Sequence, residues 1–159
     1  MIIAGQGALK NPKEQLDIKG DHIEYLGAVG PERRSELLGG ALCSFCPTYY
    51  IEPFGGAAVE SMMCGNPVLS SDFGAMVETV SQGVSGYRCR TFDDFVWAAK
   101  NCHKLDRNKI REYAIANYSC ERIALMYQEY FDKIYDISTS KGWYEIHEDR
   151  TELDWLKRY

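Results

Sequence analysis

The chain has 159 residues, 18 basic against 23 acidic side chains, a formal net charge of −5, 45% hydrophobic residues and six cysteines. That length suits about one domain with a core of its own, and the acidic balance argues against a nucleic-acid coat or a basic membrane patch. No apolar run reaches the roughly 18 residues of a membrane-spanning helix, residues 1–10 lack the basic start and apolar stretch of a signal peptide, and 26% charged residues argue against wholesale disorder.

Short apolar runs alternate with helical patterns. Residues 1–4 predict a strand ending in Gly5-Gln6-Gly7, residues 11–18 a weak helix, and residues 22–26 a strand closed by Gly27. Pro31 in a first-turn position and Gly39-Gly40 at the end bracket a helix. Residues 42–45 read as the next strand, 56–63 as a helix stopped by Gly65, 67–70 as a strand, 75–81 as a short helix and 86–89 as a brief strand. Thr91 with Asp94 three residues on forms a capping-box variant. The helix it opens has Phe92, Phe95, Val96, Ala99 and Cys102 as its inner face. Asp106 starts a helix carrying Ile110, Tyr113 and Ala114. Ser119 starts a longer one, whose stripe of Ile123, Met126, Tyr127, Tyr130, Ile134 and Ile137 reads as core packing. The end of the chain holds Gly142-Trp143-Tyr144 and Leu153, Trp155 and Leu156, which read as packing or as an interface.

Strands alternating with helices over about 90 residues predict an α/β fold with a parallel sheet between helical layers. Ligands of such sheets bind at the carboxyl ends of the strands. The cysteines are Cys43, Cys46, Cys64, Cys89, Cys102 and Cys120. Cys43-x-x-Cys46 lies in a strand pattern, so its two thiols face opposite sides, and no nearby cysteine pair or histidine completes a zinc set. Buried thiols and a reducing, cytoplasmic compartment are the expectation.

One loop stands out, residues 47–60, Pro-Thr-Tyr-Tyr-Ile-Glu-Pro-Phe-Gly-Gly-Ala-Ala-Val-Glu. It follows a strand and opens a helix. Gly55 and Gly56 let a ligand approach the backbone, and the N–H groups of Gly56, Ala57 and Ala58 at the helix mouth suit an anion such as phosphate. Glu60 lies about one turn inside and leans back toward the mouth, where its carboxylate can accept hydrogen bonds from a ribose diol. Glu52, before the helix, is free to accept from a second polyhydroxylated group. Read from the residues alone, Glu52 as a solvated loop residue and Glu60 as a surface helix residue fits equally well.

Glu52-Pro53-Phe54-Gly55, then Glu60-Ser61-Met62-Met63-Cys64-Gly65-Asn66-Pro67-Val68, resembles the signature of retaining glycosyltransferases of family 4 and their GT-B relatives. The resemblance extends upstream to residues 2–7 and to Tyr25-Leu26-Gly27. Downstream it includes Ser71-Asp72-Phe73-Gly74 with Glu78 and Thr79, and residues 83–87, so that it covers residues 1 to about 137. It implies a Rossmann-like three-layer domain that binds a nucleotide-sugar donor, UDP- or GDP-linked, with no cofactor and no metal. Glu60 would bind the ribose, Glu52 would act at the donor sugar as the catalytic residue, and Phe54, Gly55, Gly56, Ala57 and Ala58 would hold sugar and diphosphate oxygens. Gly5 would lie in the first glycine loop, and Gly27 and Ala28 near the base. No Asp-x-Asp clamp occurs in the sequence.

The resemblance also implies parts that these residues do not match. The family's Arg and Lys around the first helix of the domain have no counterpart in residues 1–30, since Lys10 and Lys13 sit in another element. The first strand and helix and the acceptor domain are unmatched as well. The chain therefore reads as the C-terminal portion of a longer enzyme, or as a subunit completed by a second chain. Residues 1–105 would form the partial donor domain, 106–137 helices completing or crossing it, and 138–159 an aromatic-rich tail. The expected partners are the donor and an unknown acceptor, with no nucleic acid. The expected location is cytoplasmic, or peripheral at the membrane through the parent enzyme. A non-catalytic assembly module is the alternative reading. A dehydrogenase is a weaker one, because Gly5-x-Gly7 lacks a third glycine. Arg88 and Arg90 are solvated at a strand end unless they substitute for the unmatched basic pair.

Overall fold

The computed structural model describes residues 1–5 and 21–139. The predicted helix at 11–18, Gly7, Lys10, Lys13 and the aromatic tail lie outside the described residues. The chain divides into a compact unit, residues 1–116, and a second unit, residues 117–159.

The first unit is α/β, with parallel strands throughout. Strand β1 (Ile2–Ala4) pairs with β2 (Glu24–Gly27), and the Gly5 N–H donates to the Gly27 carbonyl at 2.8 Å beyond the ladder's end. A second ladder runs β3 (Ser44–Cys46), β4 (Val68–Ser71), β5 (Gly86–Cys89), with β4 in the middle. The two ladders share no strand pairing among the described residues, so β1 and β3 each end a ladder.

Strand β3 begins two residues later than its apolar run suggests. Pro67 has no N–H to give a ladder, so β4 starts at Val68. Its partner in register is Ser44, whose N–H takes the Pro67 carbonyl at 2.8 Å. Leu42 is left exposed.

Helix α1 (Pro31–Gly40) leads from β2 to β3, and α2 (Gly56–Met63) from β3 to β4. A buried polar knot fixes α2 on the sheet. Asn66 Nδ2 donates to Ser44 Oγ at 2.6 Å and Ser61 Oγ at 3.1 Å, and the two hydroxyls are 2.7 Å apart. Helix α5 (Arg107–Tyr118) ties down both earlier helices at their C-terminal ends, where carbonyls lack helical donors. Arg107 donates to the carbonyls of Gly39 and Ala41, and Arg111, one turn on, to that of Met63.

The short α3 (Met76–Thr79) precedes β5, and α4 (Phe92–Asn101) follows it. The Thr91 capping box forms as predicted: the Asp94 N–H meets Thr91 Oγ1 at 3.2 Å, and the Thr91 N–H meets Asp94 Oδ2 at 2.9 Å. The inner face of α4 keeps Phe95, Ala99 and Cys102 of the predicted set and adds Ala98. Ala98 and Cys102 are buried with Leu69 and Cys89, and Phe95 and Ala99 pack against them. This is an i, i+3, i+4, i+7 stripe. Phe92, at the first position of the helix, is 80% exposed.

In the second unit, α6 (Cys120–Thr139) starts where Ser119 Oγ accepts the Arg122 N–H at 3.2 Å. The helix has no buried residue. Its stripe of Met126, Tyr127, Tyr130 and Ile134 is exposed, which corrects the expectation of core packing. Helical spacing marks an apolar face but does not supply a surface to cover it. No helix among the described residues is long and apolar enough to cross a membrane.

Candidate functional site

The loop between β3 and α2 leaves the carboxyl end of β3 and is held by its own acidic side chain. Glu52 Oε1 accepts the N–H of Gly55 at 2.9 Å and that of Phe54 at 3.4 Å, and Oε2 accepts the Tyr50 hydroxyl. The Tyr50 bond, and after it the Gly55 N–H, hold the Glu52 carboxyl below its ordinary range, and the same contact pushes the Tyr50 phenol up. Glu52, expected to be free, is therefore an organising residue of the loop. A carboxylate offers about four acceptor positions. Three are used, which leaves one on Oε2.

A second turn grips the loop from below. The Glu52 carbonyl accepts the Ala75 N–H at 2.8 Å, and the Phe54 carbonyl accepts Thr79 Oγ1 at 3.0 Å. Gly55 adopts φ +83°, a left-handed conformation that favours glycine, and a Cβ there would press on the tip of the Met76 side chain. Gly55 is also the N-cap of α2. Its carbonyl accepts the N–H groups of Ala58 at 2.9 Å and Val59 at 3.2 Å. Of the three donors expected to be open, Ala58 is thus engaged, because the first turn closes one residue early. Gly56 and Ala57 keep theirs among the described residues.

Glu60 does not stand alone either. Its Oε2 lies 2.9 Å from Arg34 Nε on α1, with both side chains nearly half exposed. Arg34 follows Ala28 by six residues, so this pair links the β2–α1 turn to α2. Gly5 and Gly27 lie together at the ends of β1 and β2, and Ala28 is exposed just beyond them. The structure therefore gathers the predicted residues into two groups, Gly5–Gly27–Ala28 and Glu52 through Glu60, with Arg34 reaching from the first segment to the second.

Sequence reasoning missed Arg34, Tyr50 and the backing role of Thr79. Tyr50, two residues from Glu52 in a loop, was within reach of a local reading. Arg34, 26 residues from its partner, was not. Arg88 and Arg90 both pair with Asp72, at 3.5 and 2.6 Å, and Arg88 Nη1 also donates to the Val77 carbonyl at 2.7 Å. The cysteines are free thiols. Burial, then the neighbouring Cys102, pushes Cys43 up to about 12, and burial, then Glu52, pushes Cys46 up to about 11, so neither is a thiolate near neutral pH.

Beside the loop, at the carboxyl ends of β3, β4 and β5, a cavity of about 420 Å³ is lined by Pro47, Tyr49, Phe73, Arg90 and Phe92 among others. Neither Glu52 nor Glu60 faces it.

Residues 1–117 match the family model of glycosyl transferases group 1. An uncharacterised glycosyltransferase of Methanocaldococcus jannaschii is 29% identical over 123 residues, 74% of this chain and 30% of that protein. A phosphatidyl-myo-inositol mannosyltransferase of Mycobacterium leprae is 27% identical over 116 residues, 73% of this chain and 31% of that protein. Among solved structures, Anabaena HepE in complex with UDP-glucose superposes with a TM-score of 0.67 at 18% identity, over 83% of this chain and 40% of that one. AviGT4, a glycosyltransferase involved in avilamycin A biosynthesis, gives 0.65 at 21% identity, over 84% and 42%. The chain thus spans about a third or less of the length of the curated relatives it matches. Its fold is that of the GT-B glycosyltransferases, with a C-terminal helical extension. The chain belongs to the glycosyl transferases group 1 family.

Proposed function

We propose that this chain is the donor-binding part of a retaining, metal-independent glycosyltransferase of family 4, which moves a sugar from a nucleotide-sugar to an acceptor. The observation that carries the reading is the β3–α2 loop, where two glutamates eight residues apart flank a helix mouth at the carboxyl end of a parallel strand. Glu60 Oε1 takes the ribose diol. The open N–H groups of Gly56 and Ala57 and the helix dipole face the diphosphate, and stabilise the charge that grows as it departs. The remaining acceptor position of Glu52 takes a hydroxyl of the donor sugar, while the rest of that carboxylate keeps the loop in shape. Gly5, Gly27 and Ala28 lie toward the base. Work in the cytoplasm, or at its membrane surface through the parent enzyme, goes with this reading.

The acceptor side belongs to another segment or a second chain. Among the described residues no further strand pairs with the ladder ends at β1 and β3, and open edges of this kind favour a partner that pairs there. The same feature supports the alternative of an assembly module.

A thermal-shift screen of UDP, GDP and their sugar conjugates tests the donor reading, since a ligand of the native state raises Tm by mass action. Stabilisation by one nucleotide series is expected. Calorimetry then takes Glu60→Ala, which should weaken binding about tenfold or more through loss of a charge-assisted acceptor. Unchanged affinity in that variant, or no nucleotide bound at all, removes the donor site from the loop.

A further inference from the structure

We infer that Arg34 is a positioning residue of the donor site, which orients the Glu60 carboxylate so that one oxygen is fixed and the other is presented to the ribose diol. The inference rests on the donor-site reading above. Three observations carry it. First, neighbouring arginines on α1 behave differently. Arg33 pairs within its own helix with Glu36 at 2.9 Å, the ordinary i, i+3 arrangement, whereas Arg34 reaches across to α2. Second, the contact is single. Arg34 Nε meets Glu60 Oε2, and the two-pronged clasp that a guanidinium and a carboxylate readily form is not made. Glu60 Oε1 and both Nη groups of Arg34 have no partner among the described residues. A pair serving only to join α1 to α2 gains by closing both prongs. This one leaves capacity open on the side of the carboxylate that a diol needs.

Third, among the described basic side chains, Arg34 is the one that makes an ion pair with the Glu52–Glu60 segment. Arg88 and Arg90 are held by Asp72, Arg107 by Gly39 and Ala41, and Arg111 by the Met63 carbonyl. A pair this exposed adds little to stability, so its function can be separated from folding.

The test is calorimetry on the full chain with UDP, GDP and the 2′,3′-dideoxy form of each. Wild type, Arg34→Gln, Arg34→Lys, Glu60→Gln and the Arg34→Gln/Glu60→Gln double variant are compared. Arg34→Gln is expected to weaken the ribonucleotide about tenfold and the dideoxy form less than about twofold, with Tm within about 3 °C of wild type. Arg34→Lys recovers part of the loss, because an ammonium still reaches one oxygen. The double variant binds no more weakly than Glu60→Gln alone, since Arg34 acts through Glu60. Equal losses for ribo and dideoxy ligands, additive losses in the double variant, or no loss in Arg34→Gln each overturn the positioning role while leaving the donor site standing. If wild type binds neither UDP nor GDP, the donor-site reading fails and this inference fails with it.

Discussion

The two ladders of the first unit are built from similar apolar runs and end in different states. In β3–β4–β5 the middle strand is sealed: Val68, Leu69 and Ser70 are wholly buried, with α2 and α4 against the ladder. In β1–β2 no residue is buried, and Ile2 is half exposed. Burial at roughly 25 cal/mol per Å² of apolar surface therefore acts mainly on the ladder that carries the Glu52–Glu60 loop. The chemistry hangs from the firm half, and the loose half contributes the Gly5–Gly27 corner. A site of this kind keeps its shape at the helix mouth because the ladder beneath it is sealed.

The sharpest way to break the difference is at Gly86. A Cβ there would stand 1.9 Å from the Val68 carbonyl oxygen, inside the backbone of the adjacent strand. Gly86→Ala is expected to cost about 4 kcal/mol or more, in the range of the severest single substitutions. On the other ladder Ile2→Ala should cost about 1 kcal/mol, because half the side chain is already in water. Urea midpoints at constant slope measure both. Equal costs would show that the two ladders share one cooperative core.

Next in size is the polar knot. Asn66→Ala removes the donor to Ser44 and Ser61 and leaves buried hydroxyls short of a partner, for about 1–3 kcal/mol. Because the knot seats α2, nucleotide affinity should fall with stability in this variant. Thr91→Ala, at the cap of α4, should cost about 1 kcal/mol and leave the loop untouched. A difference in nucleotide binding between the two variants at matched stability separates support of the site from support of the fold.

Which parts were legible follows from how local each determinant is. The Thr91–Asp94 box, Pro31 at the start of α1 and the glycines around α2 act within a few residues, and the sequence specified them. The start of β3 was set by Pro67, more than twenty residues on, through the pairing of Ser44 with Val68, so an apolar run alone placed it too early. The inner face of α4 was legible at Phe95, Ala99 and Cys102, while Leu69 and Cys89 beneath it also bury Ala98, and Phe92 at the helix start is left exposed. The two glutamates were found by their spacing at a helix mouth, while what each carboxylate touches was not. Arg34 comes from another helix, and the loop's own N–H groups reach Glu52 only once Gly55 has taken its left-handed turn.

The smallest expected effect concerns Glu52 and ties the loop to the firm ladder through pH. Its folded carboxyl lies below the ordinary range because ionised oxygen accepts from Tyr50, Gly55 and Phe54. A lowered folded value means that the unfolded chain binds the proton more readily, so this contribution is fully present above the unfolded value and is lost as pH falls through the folded one. Glu52→Gln carries no charge at any pH. The Tm gap between wild type and Glu52→Gln should therefore be largest near neutral pH and close as the pH falls through the lowered folded value of the carboxylate. Tyr50→Phe should narrow the gap at neutral pH by deleting the first of the three donors. A gap that stays constant from pH 7 to 3 would mean that the carboxylate does not organise the loop. The anchoring would then rest on Ala75 and Thr79 alone, which hold backbone carbonyls and do not titrate with Glu52.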